Sequence, residues 1–289
     1  MPADPRSILV TGASTGIGRA AVQALLSQGF FVYAGVRDPA AGARLKAVAP
    51  PGSADRLEAV TLDVTNAGHI RAVVHHLEHQ LGEAGLWGLF NNAGISVTGP
   101  VEFLGIDGLR HQLEVNVVGQ VAVTQALIPL LRRARGRVLS TGSVTGFIAL
   151  PGLSPYAMSK HAMEAFSDSL RRELKAFGIE VSLLEPGAIA TDIWQKGMEN
   201  ADALERGWPP QVVELYGPMI RAVRQAAEVS ARTASPTDVV TRAVVHAFTA
   251  AKPRTRYRMG RHAGIQKWIS RLPDRWADAL LARALRLGP

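Results

Sequence analysis

Residues 11–18 read TGASTGIG, with glycines at 12, 16 and 18 in the pattern GxxxGxG. The stretch lies between a short β-rich run, SILVTG, and a run of helical character that reaches about Gln28 and stops at Gly29. Glycines there let the main chain turn sharply and approach a ligand closely. Free N–H groups at a helix N-terminus favour an anion. A strand, a glycine turn and a helix in that order can cradle a diphosphate, and the same residues also make a tight turn that holds nothing. The spacing differs from the commoner GxGxxG of dinucleotide sites.

Working outward, the same alternation repeats. FFVYAGVR, LEAVTLDV, LWGLFNNAG, GRVLSTGS and IEVSLLEPG read as further strands. Helical runs fall after Pro39, over about Asn66–Leu81, over about Asp107–Arg133 and across SPYAMSKHAMEAFSDSLRRELKAF. Several strands are apolar throughout, as expected of strands covered on both faces. Repeated β-α units with right-handed crossovers give an α/β fold with a doubly wound parallel sheet. The chain reads as one domain with no internal repeat. Its core covers about residues 5–187 and a looser region about 188–235, where WPP and YGP break short helices. TRYRMG alternates, which predicts a last strand with one wet face. Residues 263–287 read as an amphipathic helix interrupted by Pro273, within a basic extension over about 252–289.

The 289 residues are 47% apolar and 19% charged, enough for a sizeable core. With no cysteine, disulfides and thiolate chemistry are excluded. No uninterrupted apolar run reaches the roughly 18 residues that span a bilayer. The N-terminal MPADPRSILVTG lacks a basic region followed by a long apolar stretch, so no signal peptide is expected. These features predict a soluble, cytoplasmic protein. The net charge of +8 is concentrated in residues 252–289, which hold ten Lys/Arg against two Asp/Glu; the rest is balanced at 22 of each. A neutral body does not favour nucleic acid, and any attraction to anionic surfaces belongs to the tail.

Candidate chemistry gathers at the strand ends. The second strand runs into Val36, Arg37 and Asp38, where an NAD site commonly carries an acid for the ribose hydroxyls. Arg37 suits a 2′-phosphate, which favours NADP, with NAD the alternative. Asp38 could instead reach the ribose, start the next helix or pair with Arg37. Asp63 could accept from an adenine amino group or close a turn. Asn91, Asn92, Ala93 and Gly94 end the fourth strand, and they suit either close packing on a ligand or a plain turn. In SPYAMSK, Ser154 can cap the helix and Pro155 fits its first turn, so Tyr156 and Lys160 share one face. Ser143 closes the fifth strand thirteen residues before the tyrosine.

TGASTGIG, NNAG, the Asn116 of NVVG, Ser143, YAMSK and the EPG of Pro186–Gly187 resemble, in order and spacing, the motifs of the short-chain dehydrogenase/reductases over roughly residues 7–192. VYAGVRD, NVVG and GRVLSTGS are most similar to the branch of estradiol 17β-dehydrogenase and the retinol dehydrogenases. The resemblance implies a Rossmann-type sheet with a C-terminal helical cover over the substrate. It implies an alcohol–carbonyl oxidoreductase with Tyr156 as general acid/base, its phenol brought down by the Lys160 ammonium and the nicotinamide charge. Lys160 would bind the nicotinamide ribose, Ser143 the substrate oxygen, and Asn116 a water leading from Lys160 to solvent. The implied nucleotide site comprises Gly12, Ser14, Thr15, Gly16, Ile17, Gly18, Arg37, Asp63, Val64, Asn92, Ala93, Gly94, Tyr156, Lys160, Pro186, Gly187 and Thr191. Such enzymes form homodimers or homotetramers through their two long helices.

The substrate expected is a hydrophobic alcohol or ketone. Trp194, Met198, Trp208, Leu215, Tyr216 and Met219 either line its pocket or pack against the sheet. Ile265, Trp268, Ile269, Leu272, Trp276, Leu280 and Leu281 form a helical stripe, with Lys267, Arg271, Arg275 and Arg283 on its polar side. That stripe is expected to be buried as a wall of the pocket, with peripheral membrane contact secondary. His75, His76, Glu78 and His79 lack a third ligand and an ordering shell, so no metal site is expected.

Overall fold

The computed structural model describes residues 6–191, 193–261 and 263–285. Among them, β1 (Ser7–Thr11), β2 (Phe31–Val36), β3 (Leu57–Thr61), β4 (Gly88–Asn91), β5 (Arg137–Thr141), β6 (Glu180–Pro186) and β7 (Arg256–Met259) form one parallel sheet. The strand order is β3-β2-β1-β4-β5-β6-β7. The first three strands run outward one way from β1 and the next four the other way. The order therefore reverses between β1 and β4, and a crevice opens at their carboxyl ends.

Both faces are covered, which is why the inner strands are largely apolar, whereas the edge strands β3 and β7 carry polar side chains. Ile8 and Val10 face one side, with α1 (Gly16–Ser27), α2 (Pro39–Ala47) and α9 (Asp238–Thr249). Leu9 faces the other, with α3 (Ala67–Leu81), α5 (Gly119–Ala134) and α6 (Ser154–Leu174). Fully buried side chains such as Leu25, Leu77, Leu127 and Phe248 each contribute about 1.5–3 kcal/mol.

Four expectations change. The long helix runs as α4 (Ile106–Leu113), a π-turn over Glu114–Val118, then α5. Ser154 is the first helical residue of α6, and Leu153 occupies the cap position with no side-chain cap bond. WPP does separate two helices, α7 (Ile193–Arg206) and α8 (Pro210–Arg232), but α8 continues straight through Pro218. The tail forms α10 (Ala263–Ile269) and α11 (Asp274–Leu285), parted at Pro273 as expected, yet none of its seven stripe side chains is buried. Trp268 is 61% and Trp276 69% exposed. Leu287 and the last residues of the basic extension lie outside the described residues.

β7 has the expected alternation, with Tyr257 and Met259 buried. Its other side chains pair with acids: Glu185, wholly buried on β6, meets Arg256 Nε at 3.2 Å and Arg258 at 2.9 Å. Arg256 also reaches Glu164 and Asp168 of α6, each at 3.0 Å. Stripping a buried charge of its partner costs about 3–5 kcal/mol, so these arginines fasten the last strand to the sheet. The run Ile106–Ala134 is long and apolar enough to cross a membrane by length and composition, but much of it is buried against β4, α3 and α6 as a core element.

Candidate active site

The glycine loop leaves β1 at the reversal point. Gly12 has φ +61° and lies so close to the chain after β4 that a Cβ on it would stand 2.8 Å from Ala93 Cα. A Cβ on Gly18 would stand 2.2 Å from Gly12 O and 2.7 Å from Asn92 Nδ2. Asn92 turns its amide into this loop, donating to Thr11 O (3.1 Å) and Gly12 O (3.2 Å). Thr11 Oγ1 accepts from the main-chain N–H groups of Asn92 (2.9 Å) and Ala93 (3.0 Å). Ser14, Thr15, Gly16 and Ile17 are half-buried at the start of α1. Thr15 caps that helix without a side-chain bond, which leaves its first N–H groups for an anion. The residues present thus fit a diphosphate: a pinched main chain, an uncapped helix start and no acid in the first turn.

At the end of β2, Arg37 is exposed and Asp38 is committed elsewhere. Asp38 caps α2, accepting from Ala40 N (2.9 Å) and Arg44 (3.1 Å), and both bonds hold its carboxyl below the usual range. Of the roles open to Asp38, the structure has the helix start. Asp63 accepts from the N–H (2.9 Å) and hydroxyl (2.7 Å) of Thr65, as a turn residue does. Burial raises its carboxyl, but the Thr65 bonds and the charges of Arg37 and His69 outweigh that and lower it. Val64 is buried, with its carbonyl against Gly119.

Across the crevice, α6 begins beside β5. Ser143 caps a single 3₁₀ turn, accepting from Thr145 N at 3.1 Å, and its hydroxyl also hydrogen-bonds with the phenol of Tyr156. Lys160 is buried and donates from Nζ to Thr141 O at 2.7 Å, with Nζ 5.5 Å from the Tyr156 ring centre. Burial raises the phenol above its ordinary value, opposed only by Ser143, and burial lowers the Lys160 ammonium to about 8. Asn116 sits in the π-turn, buried rather than solvated. Its Oδ1 accepts from Ile95 N (2.8 Å), and its Nδ2 donates to Ile95 O (3.0 Å) and Ser159 Oγ (3.1 Å). Gly94 lies against it.

The far wall follows β6. Gly187 donates from its N–H to Met259 O at 2.8 Å, and the Thr191 side chain lies over Gly16, 3.4 Å from where a Cβ would be. The chain then makes an excursion through α7 and α8. It returns where it left, for Ala190 N donates to Ser235 O and Ser235 N to Ala188 O, both at 2.9 Å. Trp208 covers Gly99, the Met219 methyl lies near Gly152, and the Tyr216 hydroxyl donates to Glu102 at 2.7 Å. Leu215 is exposed. The side chain of Trp194 lies outside the described residues. His76 pairs with Glu58 at 2.6 Å, away from this crevice.

A family model described as short chain dehydrogenase matches residues 6–202. The chain belongs to the short-chain dehydrogenases. It is 38% identical to retinol dehydrogenase 5 of Mus musculus over 291 residues, spanning 97% of this chain and 89% of that one. It is 36% identical to 17-beta-hydroxysteroid dehydrogenase type 6 of Bos taurus, spanning 96% and 88%. A crystal structure of a short-chain dehydrogenase from Streptomyces avermitilis superposes with a TM-score of 0.74 at 28% identity, covering 98% of this chain and 96% of that one. This short-chain dehydrogenase sits in the retinol and hydroxysteroid branch and is an oxidoreductase with a Rossmann-type nucleotide-binding fold.

Proposed function

We propose that this short-chain dehydrogenase interconverts a hydrophobic alcohol and its ketone or aldehyde with NADP(H), on a retinoid- or steroid-like substrate. The observation that carries the reading is the Ser143–Tyr156 pair above buried Lys160, facing the glycine cradle across the reversal point. A nicotinamide dinucleotide bound there supplies or accepts the hydride. Gly12–Gly18 and Thr191 hold the diphosphate, Asp63 and Val64 the adenine, and Arg37 the 2′-phosphate. Ala93, Gly94, Lys160, Pro186 and Gly187 hold the ribose and nicotinamide end. Tyr156 passes its proton to the substrate oxygen in reduction and takes it back in oxidation, while Ser143 donates to that oxygen as charge develops. The relatives named for retinol and 17β-hydroxysteroids support the substrate class. Measuring NADPH consumption with all-trans-retinal, estrone and short ketones tests it; turnover confined to small polar ketones would overturn the substrate class.

The capping role of Asp38 supports NADP over NAD, since no acid is left at the end of β2. Arg37→Ala should weaken NADPH about ten- to a hundredfold and leave NADH nearly unchanged, the worth of one charge-assisted phosphate contact. Fluorescence titration with both nucleotides checks this, and a wild-type preference for NADH would refute it.

The extension has two surfaces. α10 packs on β7 and on the turn Val144–Gly146 beside Ser143, which supports a wall of the pocket. Its exposed Trp268 and the exposed Trp276 of α11, with Arg271, Arg275 and Arg283, support a second role against anionic lipid in a cytoplasmic, peripheral enzyme. Truncation after Gly260 should raise KM for retinal while NADPH affinity stays close to wild type. Vesicle sedimentation with and without phosphatidylserine reads the second role; lost vesicle binding with an unchanged KM would remove the first. Assembly as a homodimer or homotetramer through α5 and α6 completes the reading.

A further inference from the structure

α4, the π-turn and α5 carry a file of buried polar residues, Gln112, Asn116, Gln120 and Thr124, each four positions from the next. Polar groups on the inward side of a core helix are costly unless each finds a partner. Among the described residues Gln120 Oε1 has none, and the other partners lie mostly on the end of β4 and the segment that continues it. Thr124 Oγ1 accepts from Asn91 Nδ2 at 2.7 Å. Gln120 Nε2 donates to Ala93 O. Asn116 binds both main-chain groups of Ile95. Gln112 Oε1 accepts from Val97 N at 2.6 Å, and its Nε2 donates to Ile95 O at 2.7 Å.

Residues 124, 120, 116 and 112 thus meet residues 91, 93, 95 and 97. Four residues of helix advance about 6 Å and two of extended chain about 6.6 Å, so the two repeats stay in step. The helix takes the place of a missing neighbour strand. That support is needed because β1 ends at Thr11 and β5 at Thr141, while the β4 chain runs on to form the wall facing the glycine loop. The file also reaches the catalytic helix. Asn116 donates to Ser159 Oγ, which donates to Tyr156 O at 2.7 Å.

We propose that Gln112 and Gln120 are positioning residues for the nucleotide, fixing the Ala93–Val97 segment at the distance from Gly12 that the bound dinucleotide requires. The proposal rests on the dinucleotide reading above. Gln→Met keeps side-chain length and helix propensity but removes both polar groups. Gln120→Met and Gln112→Met should each weaken NADPH about tenfold by fluorescence titration, the worth of one misplaced hydrogen-bonded contact. Val123→Ala, a core change on α5 outside the file, serves as control: it should lower Tm at least as much and leave NADPH affinity within about twofold. Gln120→Asn keeps the amide but is one methylene short; it should weaken NADPH as the Met variant does, and it decides the matter if a Met variant fails to fold. Folded variants that bind NADPH as wild type does, or affinity losses that follow Tm for the control as well, would overturn the proposal. A wild-type protein that binds neither NADPH nor NADH would overturn the dinucleotide reading instead.

Discussion

Tyr156→Phe should lower kcat by about 10²–10⁴ while NADPH affinity stays within about twofold of wild type. The substitution keeps the ring, its packing at the start of α6 and its place over Lys160, and deletes only the transferable proton. The site gives that proton a definite state. Burial holds the phenol above its ordinary value and the Ser143 hydrogen bond opposes it only in part, so the oxygen stays protonated at neutral pH and is ready to give its proton to a carbonyl. Lys160, lowered to about 8, keeps its charge below that pH and loses it above. Reduction should therefore run well at neutral pH, where both the phenol proton and the ammonium are present. Steady-state kinetics with all-trans-retinal and a nucleotide titration on the same preparation test this. A variant keeping more than about a tenth of kcat would remove Tyr156 from the role.

Gly18→Ala should abolish NADPH binding and lower stability by about 1–3 kcal/mol or more, the cost of forcing atoms into a packed site. The new methyl meets the Gly12 carbonyl and the Asn92 amide, both already fixed by hydrogen bonds, so α1 itself must move. Moving α1 displaces the N–H groups meant for the diphosphate. Gly264→Ala in α10 is the matched control: nothing lies within 4 Å of its added Cβ, and it should be neutral or stabilise by about 0.4–1 kcal/mol. Chemical denaturation and NADPH titration of both variants read the contrast. Wild-type affinity in Gly18→Ala would show that the loop does not touch the nucleotide.

The strands and the helical runs up to α6 were legible, with α4 and α5 read as one helix, because local pattern and tertiary burial agree there. TGASTGIG sits at a strand–helix turn, and the apolar run of IEVSLLEPG is a strand covered on both faces. α9 carried a signal that went unread: Val240, Val244, Ala247 and Phe248 recur at helical spacing and all are buried. Pro218 misled because a proline removes one intrahelical donor, at about 3 kcal/mol in a helix interior, yet α8 continues through it. The π-turn at Asn116 has no local signature. Gln112 and Gln120 carry no signal of their own, because polarity at helical spacing says nothing of a main-chain segment waiting on the inner side. The tail stripe was read for its width, but the depth at which it lies depends on partners the pattern does not encode. At Tyr156 and Lys160 the spacing gave proximity, whereas protonation follows burial, which only the fold determines.

The excursion through α7 and α8 leaves the sheet after Ile189 and returns at Ser235, and its two ends are stitched together by main-chain bonds. A segment whose ends already meet can be spliced out and replaced by another of different length without respacing β6, β7 or the glycine loop. Past Thr191, whose side chain lies over Gly16, this cassette can change in length and sequence while the sheet and the glycine loop are inherited unaltered. The same seam marks where a protein engineer would cut.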